Sequence, residues 1–136
     1  MSAGEVDLER LLADMGPVLD PATYRFLAMQ DPPADLMADA LMIFHEAEAT
    51  TLVVTTARAE EAGFPAGPGY RRLSLTVHSS LDAFGLTAGI STALAGHSIG
   101  ANIVAGYHHD HIFVPAERAE QALACLEALA ASVGQD

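Results

Sequence analysis

Near the middle of the chain, Phe64 to Gly69 (FPAGPG) can continue neither a helix nor a strand. Two prolines remove amide donors and two glycines loosen the backbone, so regular structure must stop and restart there. The break cuts a chain of 136 residues into two halves of similar length. A unit of roughly 60 residues buries only about 60% of the surface that its unfolded chain exposes, which is marginal for an independent domain. The reading is therefore a first unit over 1–66 and a second over 67–136, joined into one sheet or two adjoining sheets.

The second half has the clearer pattern. Arg72 to His78 alternates Leu73, Leu75 and Val77 with Ser74, Thr76 and His78, which predicts a strand with one buried face. Ser79 and Ser80 suit the cap of a following helix, and Ser79 with Asp82 has the spacing of a capping box. In that helix Leu86, Ile90, Ala93 and Leu94 share a face, Gly85 and Gly89 keep it thin, and Gly96 ends it. A strand over Gly100 to Gly106, a turn at Tyr107 to Asp110 and a strand over His111 to Val114 follow. Pro115 then suits the first position of a helix buried through Ala119, Ala122, Leu123, Leu126 and Ala130. Strand, helix, strand, strand, helix is a ferredoxin-like α+β unit that lacks its last strand.

The first half supplies spare strands. Leu8, Leu11, Leu12 and Met15 predict a short amphipathic helix stopped by Gly16-Pro17. Thr23 to Met29 reads as a strand, Leu41 to His45 and Thr51 to Thr56 as a hairpin, and Ala57 to Ala62 as a turn or two of helix. The expected fold is α+β with an antiparallel sheet, helices on one face, and two half-sized units.

Composition narrows the function. A net charge of −12 argues against nucleic acid and against an anionic membrane surface, both of which need cationic contacts. An apolar fraction of 51% argues against disorder despite that charge. The single cysteine, Cys125, makes neither an internal disulfide nor a zinc site, and the acidic N-terminus does not resemble a signal peptide, so a cytoplasmic protein is expected. Ala83 to His109 contains no Asp, Glu, Lys or Arg and is long enough for a membrane span, but its glycines, Asn102 and histidines do not belong in lipid.

Two motifs suggest chemistry and do not sustain it. Gly96-His97-Ser98-Ile99-Gly100 matches G-x-S-x-G, with Asp110 and His111 following in hydrolase order, but here a helix enters the turn and a strand leaves it. His108, His109 and His111 with Asp110 form a dense run of possible ligands, yet alternate strand residues point to opposite faces and only two converge. No catalytic residue, metal or cofactor is expected. His45, His78 and His97 read as polar edge residues, and Cys125 as packed.

Residues 72–115 resemble the small stand-alone tandem ACT-domain proteins of bacteria. The resemblance rests on His78-Ser-Ser-Leu81, Gly85-Leu-Thr-Ala88, Ser91-Thr-Ala-Leu-Ala95, Asn102-x-Val-Ala-Gly-Tyr107 and His109-Asp-His-Ile-Phe-Val-Pro115. Leu12 to Phe26 and Phe44 to Val54 are similar to the family's first unit. The resemblance implies a βαββαβ fold and a non-catalytic regulatory protein, a homodimer, that binds a free amino acid between paired units. Amides at the start of the helix near Asp82 to Leu86 would take the ligand carboxylate, since helix N-termini favour anions. Gly85 would allow close approach, and Asp82 or Asp110 would take the ammonium. The implied site comprises His78, Ser79, Ser80, Asp82, Gly85, Leu86 and Thr87, with Asn102, Ile103 and Val104 presenting main-chain groups from a neighbouring unit, and Asp110. The plainer reading is that Ser79, Ser80 and Asp82 only cap a helix. A non-catalytic protein–protein interaction module of the same fold is the alternative function, and a small hydrolase built on Ser98 is a third.

Overall fold

The computed structural model describes residues 7–80 and 84–133. Its first half runs α1 (Leu8–Ala13), β1 (Pro17–Leu19), β2 (Tyr24–Met29), α2 (Ala34–Ala38), β3 (Met42–His45), β4 (Thr50–Thr55) and α3 (Thr56–Glu61). The second runs β5 (Tyr70–Leu75), α4 (Leu86–Ala95), β6 (Asn102–Ala105), β7 (Asp110–Pro115), a 3-10 turn (Ala116–Arg118) and α5 (Ala119–Ser132). The FPAGPG segment carries no regular structure, as its prolines and glycines require. Among the described residues, 7–21 and 71–133 form one compact unit and 22–70 another.

In the first of these units the strands lie in the order β1, β5, β7, β6, with β1 antiparallel to β5 and β6 antiparallel to β7. Period-2 alternation sends Leu73 and Leu75 of β5, with Ile112 and Val114 of β7, into one core. Helical spacing brings Leu11 and Met15, then Leu86, Ile90 and Leu94, then Ala119, Ala122 and Leu126, into that same core, so three helices cover one face. β5, α4, β6, β7 and α5 are the first five elements of a βαββαβ unit. The missing closing strand is β1, which pairs beside β5 through Pro17↔Leu75, Val18↔Ser74 and Leu19↔Leu73. Sequence reading placed α1 with the first half; its buried residues instead belong to the core of the second.

Local chemistry fixes how that strand enters. Asp7 caps α1 by accepting from the Arg10 amide at 3.2 Å. Gly16 then turns with φ +51°, and a Cβ there would fall 2.1 Å from Thr76 Oγ1, which itself donates to the Gly16 carbonyl at 2.9 Å. Asp20 secures the far end: its carboxylate pairs with Arg72 at 3.0 Å and its carbonyl accepts from Arg71 Nη2 at 3.0 Å. β5 stops at Leu75 and not at His78, because the Thr76 and Val77 amides donate to the Met15 carbonyl at 2.9 and 3.3 Å. Pro115 ends β7 and precedes the 3-10 turn, so α5 begins four residues later than its sequence suggests.

The second unit repeats the order strand, helix, strand, strand, helix. β2 pairs with β4 over six residues and β4 with β3 over four, all antiparallel, leaving β3 at an edge. Leu27, Leu36, Leu52, Val54 and Ala59 form its core. Thr55 caps α3 by accepting from the Arg58 amide, and the Arg58 guanidinium ties α3 to α2 through Asp39 at 2.9 Å and Asp35 at 3.1 Å. Tyr24 pairs with Tyr70, whose ring meets Phe26 edge-on at 5.1 Å.

Candidate functional site

Two connections of the 7–21 and 71–133 unit converge. One is the hairpin between β6 and β7, closed by the Gly106 amide donating to the His109 carbonyl at 2.8 Å. A Cβ on Gly106 would lie 2.8 Å from that same backbone oxygen, so the hairpin requires glycine. This register sets Ala105 opposite Asp110. The other connection leads from β5 into α4. Ser79, buried to 7% exposure, donates its hydroxyl to Asp110 Oδ2 at 2.9 Å and thereby pins the two connections together.

Between them lies a cavity of about 240 Å³ lined by Ser79, Ser80, Phe84, Gly85, Leu86, Thr87, Ala105 and Asp110. Gly85 enters α4 with φ +94°, and the first helical bond runs from the Gly89 amide to the Gly85 carbonyl at 2.9 Å. The amides of Leu86, Thr87 and Ala88 therefore have no partner within the helix, and among the described residues no side chain caps it. The lining thus combines one carboxylate, three hydroxyls, main-chain donors at a helix start and an apolar wall from Phe84, Leu86 and Ala105.

Six of the eleven residues singled out from sequence line this cavity: Ser79, Ser80, Gly85, Leu86, Thr87 and Asp110. Asp82 lies outside the described residues. His78 sits beside the site, its ring 5.3 Å from that of His108 and 6.3 Å from that of His109. Asn102, Ile103 and Val104 run along β6 away from the cavity, with Asn102 opposite Phe113 at the strand's far end. Sequence reasoning missed Ala105 and Phe84. Ala105 was recoverable from hairpin register, since it faces Asp110; Phe84 carries no periodic signal. The helix expected directly after Ser80 starts only at Leu86, and the Ser79 hydroxyl goes to Asp110.

The remaining motifs have structural partners. Ser98 adopts φ +57° in a turn that runs from α4 towards β6, and Arg118 donates to the carbonyls of His97 at 2.8 Å and Ser98 at 3.4 Å. His111 bonds Ser74 Oγ through Nδ1 at 2.8 Å, so it is engaged across the sheet face while Asp110 holds Ser79. Burial pushes the His111 pKa below the usual histidine value, and the positive charges of Arg72 and His109 lower it further. His109 Nδ1 donates to the Val77 carbonyl at 3.1 Å. Among the described residues no group of three or more His, Cys, Asp or Glu side chains is placed to hold a metal ion. Cys125 Sγ lies 3.4 Å from the Ala93 carbonyl, and burial raises its thiol pKa.

Two strand–helix–strand–strand–helix units with antiparallel sheets define a tandem ferredoxin-like module. The chain belongs to the ACT-domain family: one ACT-domain profile matches residues 3–70 and a second matches residues 68–128. It is accordingly a regulatory ACT module with two ACT units. Its fold and sequence are similar to a Vibrio cholerae protein of unknown function described as a possible transport protein. That pair shares 44% identity over 88% of this chain and 92% of the other, with a TM-score of 0.79. The regulatory subunits of aspartate kinase from Thermus thermophilus and Thermus flavus share the fold. Their identities are 17% and 18% and their TM-scores 0.63 and 0.62, each over 86% of this chain and 97% and 98% of theirs. A comparison with proteins of curated function finds no match. No helix among the described residues is long and apolar enough to cross a membrane.

Proposed function

We propose that this protein is a non-catalytic amino-acid sensor whose ligand binds at the connection between β5 and α4. The observation that carries the reading is the cavity itself, which gathers Asp110, two buried or half-buried serines and an uncapped helix start around about 240 Å³. A free amino acid presents one carboxylate and one ammonium group. Helix-start amides suit the first and Asp110 the second. Asn102 to Val104 are then available to a neighbouring unit in an assembly, as sheet-edge main chain. The protein acts in the cytoplasm as a homodimer, a state supported by the edge strand β3, where Ile43 and Phe44, with Leu41 just before them, are exposed.

The test is a thermal-shift panel of the twenty amino acids. Ligand at 100 times its dissociation constant adds about 2.7 kcal/mol, which raises Tm by several degrees. If no amino acid at millimolar concentration moves Tm, the sensor reading gives way to the protein–protein interaction module, which the same exposed β3 edge favours.

A further inference from the structure

The charge around the cavity narrows its ligand. Asp110 is the one charged side chain among the described lining residues. The sequence contains no lysine, so all six of its basic residues are arginines. None of the six lines the cavity. Arg58 is held by Asp35, Asp39 and Glu61, Arg71 and Arg72 by Asp20, and Arg118 by main-chain carbonyls. An anionic group entering this site thus meets backbone amides and no positive side chain, inside a protein of net charge −12.

Resting on the sensor reading, we infer that the cavity, which at about 240 Å³ is smaller than an ordinary ligand pocket of about 300–1,000 Å³, takes an amino acid with a small uncharged side chain and excludes dicarboxylic and dibasic ones. One carboxylate is satisfied by the start of α4. A second has no donor of opposite charge and is repelled by Asp110. A second ammonium group fares no better, because Asp110, the one carboxylate among the described lining residues, is already engaged by the ligand's own ammonium group and, through Oδ2, by Ser79. Serine and threonine hydroxyls in the lining offer neutral partners for a hydroxyl or nothing at all for a methyl group, and neither case leaves a buried charge unpaired.

The experiment is isothermal titration with glycine, alanine, serine, threonine, aspartate, glutamate, lysine and phenylalanine at one pH and ionic strength. A small uncharged amino acid is expected to bind at least about 10-fold tighter than aspartate, glutamate or lysine, the equivalent of one unpaired charge. Tightest binding by a charged or large amino acid overturns the inference and leaves the sensor reading standing; binding by none of these overturns the inference, and by none of the twenty in the thermal-shift panel overturns both. Asp110→Asn should weaken the best ligand roughly 10- to 100-fold, the range for a charge-assisted bond. Ser79→Ala removes the internal bond to Asp110 but keeps the carboxylate, and should cost less affinity than Asp110→Asn. Equal losses in the two variants would mean that Asp110 only positions the connection. Ala105→Arg supplies the missing cation and should raise aspartate affinity relative to alanine; an unchanged ratio contradicts the charge argument even if Asp110→Asn fails to fold.

Discussion

Gly85 and Gly89 lie four residues apart on the same helix, and the structure predicts that the same substitution acts on them with opposite sign. Gly85 holds φ +94° and ψ −25° at the entry to α4. A side chain in so sparsely populated a conformation costs about 1–3 kcal/mol. A Cβ there would also lie 3.0 Å from Leu8 Cδ2, which must give way slightly. Gly89 sits within the helix, and its added Cβ would meet only Leu12 Cδ2, at an ordinary 3.4 Å. There Gly→Ala lowers the entropy of the unfolded chain and gains about 0.4–1 kcal/mol. For a chain of this size 1 kcal/mol corresponds to roughly 3–5 °C in Tm, so Gly85→Ala should fall by about 3–15 °C while Gly89→Ala rises by about 1–5 °C. Circular-dichroism melts without added amino acids, with urea midpoints as a second measure, give both values. A Gly85→Ala protein as stable as wild type, or less affected than Gly89→Ala, would refute the assigned backbone conformation.

His111 makes stability depend on pH. Its folded pKa lies below the unfolded value of about 6.5, so as pH falls the unfolded chain takes up the proton first and the folded state loses ground. The contribution is present above about pH 6.5 and disappears as pH drops through the folded value; urea titrations from pH 8 to 5 should show it in wild type and not in His111→Gln. Phe44, 63% exposed on the edge strand β3, should be dispensable for folding but not for self-association. Phe44→Lys is expected to leave the Tm of the dilute protein within about 2 °C, since exposed substitutions rarely exceed about 0.5 kcal/mol, and to shift sedimentation towards the monomer.

What was legible in the sequence follows from which forces act locally. α4 and α5 were readable because Leu86, Ile90 and Leu94, and Ala119, Ala122 and Leu126, each mark a buried stripe at helical spacing. β2, the β3–β4 hairpin and the β6–β7 hairpin were readable from short apolar runs broken by turn residues. β1 and α2 were not. Three residues, Pro17 to Leu19, are too few for any period, and α2 is a single turn entered from Pro33 with no side-chain cap. The site divided in the same way. Ser79, Gly85 and Asp110 could be named from residue type and resemblance, whereas the Ser79–Asp110 bond joins residues 31 apart and depends on a strand register that no local pattern encodes.

The position of β1 carries the longest consequence. The FPAGPG segment looks like the place to divide the chain, yet the unit built from β5 onwards takes its closing strand and part of its core from residues 7–21. A fragment beginning at Gly67 loses Leu11 and Met15, both fully buried, together with the three residues paired to β5. Burial of those two side chains alone is worth about 3–6 kcal/mol, and the total stability of a domain is only about 5–15 kcal/mol. Leu73 and Leu75 would in addition lose their cover, exposing a strand edge and an apolar face at once. The 67–136 fragment should therefore show no cooperative melt. Attaching residues 7–21 after its C-terminus through a flexible glycine-serine linker should restore one, because the chain order then becomes strand, helix, strand, strand, helix, helix, strand, with α1 and the closing strand β1 both supplied. A cooperative transition in the unextended fragment would show that β1 is an accessory to this unit and not its closing strand.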